Sequence, residues 1–146
     1  MSEIRDIWLH ANNMIRSARQ IINDHLKPLN LSSAEGNILL HLLTQGQEMK
    51  QDQLVNQLDI SKPAVSRALN TLEIKGYVTR QRDPNDKRAR WVRLTNKALE
   101  IGPAVEQAYN HVYKLAMQGI SQDEFDYFVK LFSRISENFA HELEQK

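Results

Sequence analysis

Apolar residues recur along most of the chain at alternating threes and fours, and the places where that rhythm stops divide it into elements. Ile4, Trp8 with Ile7, Ala11, Ile15 with Met14, Ala18 and Ile22 form one stripe, which predicts a long first helix ending before Pro28 and Asn30. In LSSAEGNILLHLL, Ser32 stands three residues before Glu35, the spacing of a capping box, and Ile38, Leu39, Leu42 and Leu43 supply the apolar face. Gly46 closes that helix. A short helix, QDQLVNQL, turns Leu54, Val55 and Leu58 inward. Asp59 is expected to take a left-handed turn, after which Ser61 caps a fourth helix with Pro63 in its first turn. Val65, Leu69 and Leu72 form the rear of this helix, and Gly76 stops it. Two helices joined by so short a turn have the helix-turn-helix layout.

Beyond Gly76 the period shortens to two. YVTRQR and RWVRLT are rich in β-branched, aromatic and Arg residues, with turn-forming DPNDK between them. The pattern predicts a β-hairpin with a charged tip, a wing behind the helix-turn-helix. Thr95 can cap a fifth helix carrying Ala98, Ile101, Val105, Ala108, Val112 and Leu115, with a bend expected at Gly102-Pro103. Ser121 and Glu124 form a second capping box, and Phe125, Phe128, Phe132, Ile135, Phe139 and Leu143 follow at helical spacing. The expected fold is mainly α with a small β-hairpin wing. A winged helix-turn-helix lobe spans about 31–96, and a helical dimerisation region is drawn from both chain ends, about 3–28 and 97–146. Helices of that length outrun a small lobe at about 1.5 Å per residue, so their apolar stripes call for a second subunit.

Charge sharpens this picture. The chain of 146 residues has a formal charge of only +1, yet Lys62–Lys97 holds ten Lys/Arg against three Asp/Glu, a local +7. That asymmetry is an electrostatic footprint for a polyanion. The absence of cysteine excludes disulfides, thiolate metal sites and thiol redox sensing. No apolar run approaches the roughly 18 residues of a membrane span, and the N-terminus lacks a secretory layout, so a cytoplasmic protein without membrane contact is expected.

The front of the fourth helix carries Lys62, Pro63, Ala64, Ser66, Arg67 and Asn70. These types suit a major groove: Arg bonds a guanine edge, Asn an adenine edge, Ser either, and Pro63 or Ala64 meets a thymine methyl. Any one of them alone reads equally as a solvated helix face; it is the ensemble that points to double-stranded DNA. In the hairpin, Arg82, Lys87, Arg88 and Arg90 cluster near the tip, and Arg88 is placed to enter a minor groove. Asp83 and Asp86 repel phosphate, so structural roles are expected: Asp83 turns the chain and Asp86 pairs with a nearby Arg. Arg80, Arg93 and Lys97 are further phosphate candidates or solvated cations, and Trp91 is expected to pack.

The order of helices, with KQDQLVNQLDISKPAVSRALNTLEIKGYVTR, then DPNDKR, then VRLT, resembles the MarR family of transcription regulators over nearly the whole chain. The resemblance implies a homodimer joined through its outer helices, each winged lobe reading half of a pseudo-palindrome, most often as a repressor. It also implies release by a small aromatic or carboxylic effector between the dimer region and the lobe. Arg16, His10, Met14 and His41 are the candidate contacts for such a ligand, although each also reads as an ordinary helix residue. The five histidines are dispersed, so neither a metal nor a cofactor is expected. No Gly-rich phosphate loop or nucleophile motif suggests an enzyme. The competing readings are a winged-helix protein-interaction module and a constitutive DNA binder without ligand control.

Overall fold

The computed structural model describes residues 3–58 and 60–146, and the turn expected at Asp59 lies outside the described residues. In chain order the elements are α1 (Ile4–Leu26), a single 3-10 turn (Lys27–Leu29), α2 (Ser33–Thr44), β1 (Glu48–Lys50), α3 (Gln51–Leu58) and α4 (Lys62–Ile74). They continue with β2 (Val78–Asp83), β3 (Asp86–Leu94), α5 (Asn96–Ala116) and α6 (Gln122–Glu144). The result is a winged helix: mainly helical, with one small antiparallel sheet in the order β1-β3-β2. One compact unit ends at Val112, and Tyr113–Lys146 forms another.

Local chemistry accounts for the boundaries. Ser32 accepts the Glu35 N–H while the Glu35 carboxylate accepts the Ser32 N–H, so both halves of the first capping box form. Ser121 and Glu124 repeat it at the start of α6. Ser61 accepts the Ala64 N–H to start α4. At the other end of α4, Gly76 has φ +83°, and its N–H reaches the Glu73 carbonyl while Tyr77 N–H reaches Leu72. That paired closure is a Schellman motif, which needs a residue tolerating the left-handed region. Thr95 accepts the Ala98 N–H and donates to the Gly76 carbonyl at 2.6 Å, joining the start of α5 to the end of α4. α5 runs through Pro103 as one helix.

The first unit has a single core. Val65, Leu69 and Leu72 on the rear of α4 are fully buried with Ile38, Leu39 and Leu42 of α2, Leu54 of α3, and Val78 and Val92 of the sheet. The core also takes in Leu26 of α1 and Ala98, Val105, Ala108 and Tyr109 of α5, beyond the 31–96 span read from the sequence. Gly36 lets α2 approach α1 this closely, because a Cβ there would lie 2.5 Å from a Leu26 methyl. Of the stripe residues nearer the start of α1, Ile4, Ile7, Trp8, Met14 and Ile15 stay exposed. No residue of α6 is buried, and Phe128 and Phe132 stack with ring centroids 5.8 Å apart. No helix among the described residues is long and apolar enough to cross a membrane.

A buried ionic clamp sets the pose of α4 against α2. The Glu35 carboxylate accepts from Thr71 at 2.9 Å and from Lys75 at 2.9 and 3.0 Å, and Lys75 also reaches the Asn30 carbonyl at 2.8 Å. Burial would raise the Glu35 carboxyl, but the Ser32 N–H, Lys75 and Thr71 outweigh it and hold the group below its ordinary value of 4.5. A carboxyl depressed in the folded state contributes stability that is complete above that ordinary value and lost as pH falls through the folded one. Glu35→Gln is therefore expected to cost about 1.5–3 kcal/mol near neutrality in urea melts. The gap from wild type should close on acidification; a gap independent of pH would remove the ionic explanation.

Candidate nucleic-acid interface

The wing grows from a hairpin whose rear is core and whose far end is cationic. On one face of the β2–β3 pair, Val78 opposes Leu94, Arg80 opposes Val92, and Arg82 opposes Arg90. The first two pairs belong to the packed part of the lobe; the last sets two guanidinium side chains directly across from each other and exposed. Like charges so placed are mutually repulsive unless an anion lies between or beside them. The register then jumps, because the next pair after Arg82–Arg90 is Asp83–Asp86. Lys87, Arg88 and Ala89 consequently have no cross-strand partner, and Lys87 and Arg88 stand exposed at the tip.

Both aspartates shape that tip. Asp83 is buried; its Oδ1 accepts the Asn85 N–H at 2.9 Å and its other oxygen lies 3.2 Å from Lys50 Nζ. The Asn85 N–H, ahead of Lys50, holds its carboxyl below the ordinary range. Asp86 does not pair with a guanidinium as expected: its Oδ1 accepts the backbone N–H of Arg88 at 3.0 Å. A backbone bond fixes the chain at Arg88 and leaves that side chain uncommitted. Trp91 packs as anticipated, its ring 5.5 Å from Lys50 Nζ.

The cations of the basic segment sort into two groups. Arg80, Arg93 and Lys97, read from the sequence as phosphate candidates or solvated cations, each have a partner within the fold. Arg93 Nε lies 2.6 Å from Glu48 Oε2 in an ion pair across the sheet, Lys97 Nζ bonds the Lys75 carbonyl at 2.5 Å beside the Tyr77 ring, and Arg80 is tied to Asn70 and Glu73. By contrast, Lys62, Arg67, Arg82, Lys87, Arg88 and Arg90 make no ion pair among the described residues, and all are exposed. Lys62, Pro63, Arg67 and Asn70 are exposed on the front of α4, and Ala64 and Ser66 are partly buried beside them. Glu73 is the local acid; hydrogen bonding from Arg80, more than the charges of Arg80 and Arg90, keeps its carboxyl below the ordinary value.

None of the residues named for a small ligand lines the open cleft of this unit. His10, Met14 and Arg16 lie on exposed positions of α1, and His41 Nε2 is 2.7 Å from Gln57 Oε1. The cleft, of about 510 Å³, is lined instead by Ile15, Arg19 and Ile22 of α1, Asn37 of α2, and Tyr109. The helical phase decides this: Ile15, Arg19 and Ile22 share a face, and Arg16 sits one residue round from it. His25 and His111 bring their rings to 4.3 Å, but no three potential metal ligands group among the described residues.

The family model of the MarR family matches residues 29–89, from the start of the lobe through the wing tip. A MarR transcriptional regulator from Methanosarcina mazei Go1 is similar at 21% identity and a TM-score of 0.83, over 97% of this chain and 94% of that one. A MarR-family protein from Listeria monocytogenes, solved in complex with 26mer DNA, is 25% identical with a TM-score of 0.79, over 97% and 91%. An organohalide-sensing transcriptional regulator in its 2,4-dichlorophenol-bound form is 24% identical with a TM-score of 0.77, over 94% and 82%. With the family model on the lobe and the same architecture along nearly all of the sequence, the chain is similar to the MarR family of winged-helix transcriptional regulators.

Proposed function

We propose that the protein binds a pseudo-palindromic DNA operator as a homodimer, represses transcription there, and is released by a small aromatic or carboxylic ligand. The observation that carries the DNA reading is the sorting of charge. Cations that the fold needs are paired, while those on the front of α4 and the end of the wing are left for an external anion. Lys62, Pro63, Ala64, Ser66, Arg67 and Asn70 would face the major groove, and Arg82, Lys87, Arg88 and Arg90 the backbone and minor groove beside it. The DNA-bound Listeria relative supports the same use of the lobe.

The dimer would form through the apolar residues exposed on α1 and α6, residues 3–28 and 97–146 being the dimerisation region and 31–96 the reading lobe. Two-fold symmetry in the protein matches two half-sites in the operator. The cleft beside Arg19 is the better candidate for the effector, since a cation among Ile15, Ile22 and Tyr109 suits an aromatic ring bearing an acid or phenol. The relative holding 2,4-dichlorophenol supports an effector of that kind.

A paired substitution tests the charge sorting. Arg88→Ala should weaken DNA binding and reduce the magnitude of the slope of log affinity against log salt by about 1 per protomer. Arg93→Ala, which removes a cation already paired with Glu48, should leave both nearly unchanged in anisotropy titrations. Equal effects from the two would mean that only total charge matters.

A further inference from the structure

Arg80 sits at the junction of the wing and the front of α4. Only about 10% of its side chain is exposed, and one terminal nitrogen, Nη2, donates both to Asn70 Oδ1 at 2.6 Å and to Glu73 Oε1 at 3.1 Å. Its Nε is buried without a hydrogen-bond partner. A buried unsatisfied donor is costly, so the fold holds this guanidinium by its outer end at the expense of its inner one.

The consequence falls on Asn70. A guanidinium can only donate, so the amide must turn its oxygen to Arg80. Its NH2 group has no bond among the described residues and lies on the exposed front of α4. The short, charge-assisted bond also polarises the amide, making the oxygen a poorer acceptor for a second donor and the NH2 a better donor. Asparagine reads adenine by accepting from N6 and donating to N7 together, whereas guanine offers two acceptors, O6 and N7. Resting on the DNA reading above, we propose that Arg80 is a positioning residue that sets base specificity. It holds Asn70 by its oxygen, so that Asn70 selects guanine rather than the adenine expected of a free asparagine.

Selection of the full chain on a library of randomised duplexes tests this. Wild type should enrich guanine at one position of each half-site, and Asn70→Ala should erase the preference at that position alone. Arg80→Met, which keeps the buried stem, should shift the guanine-to-adenine ratio there by about tenfold towards adenine. Glu73→Gln, which leaves the Asn70 bond in place, should not move it. Asn70→Asp keeps Arg80 buried and paired, and so stays informative if Arg80→Met unfolds. An acceptor at that position should switch the preference to cytosine, whose N4 donates. Adenine at the Asn70-dependent position in wild type overturns the proposal. So does Arg80→Met lowering all sequences equally with the base ratio intact, or Asn70→Asp retaining the wild-type base. A wild type with no preference at any position would instead remove the DNA reading on which the proposal rests.

Discussion

Replacing Phe128 and Phe132 together with glutamate is expected to convert the protein to a monomer and to reduce operator affinity to the level of random DNA. Both rings lie on α6, more than half exposed, in a run that also exposes Ile135 and Leu143. A contiguous apolar face of this kind needs burial, and paired carboxylates facing their symmetry copies would be both desolvated and mutually repulsive. Specific binding exceeds non-specific binding by about 10³-fold or more, and a lone lobe contacts only one half-site, so a loss of that order is expected. Sedimentation velocity and anisotropy on the same sample separate the two effects. A monomer that kept wild-type affinity would disconnect dimerisation from reading, and a persisting dimer would place the interface elsewhere.

Leu69→Ala should be strongly destabilising to the reading lobe while preserving every polar group. Leu69 is fully buried on the rear of α4, sharing the core with residues of α2, α3 and the sheet. Such truncations cost about 2–5 kcal/mol, from lost transfer energy plus the cavity left behind. Against a total of about 5–15 kcal/mol for a typical domain, that is a large share. Chemical denaturation should show the midpoint lowered with an unchanged slope. DNA affinity of the remaining folded fraction should hold, since nothing on the front of α4 is altered. A loss below about 1 kcal/mol would mean that α4 is seated by its polar clamp more than by its apolar rear.

Most of the fold was legible because it is set by local rules. Capping boxes at Ser32 and Ser121, the Ser61 cap and the left-handed stop at Gly76 are written in adjacent residues, and each forms as read. Strand β1 was missed because three residues, Glu48–Lys50, carry no period; they are a strand only because β3 offers an edge. The candidate site was legible as a set of residue types but not in its wiring. Arg80, Arg93 and Lys97 differ from Arg82 and Arg88 only in what the fold brings beside them: Asn70 and Glu73, Glu48, and the Lys75 carbonyl. Those partners come from other elements, so no spacing along the chain announces them. That Arg19 lines the cleft follows from the phase of α1 against α2, which an apolar stripe fixes only to within a residue or so.

Footprinting of the purified full chain on the DNA around its own gene, repeated at low and moderate salt, tests the DNA reading most directly. The expected result is a protected inverted repeat whose half-sites lie about one helical turn, or a multiple of it, apart. It should be bound in the nanomolar range at physiological salt, with affinity falling about 10³–10⁵-fold between 50 and 200 mM salt. Uniform protection, no advantage over random duplex and indifference to salt would contradict it.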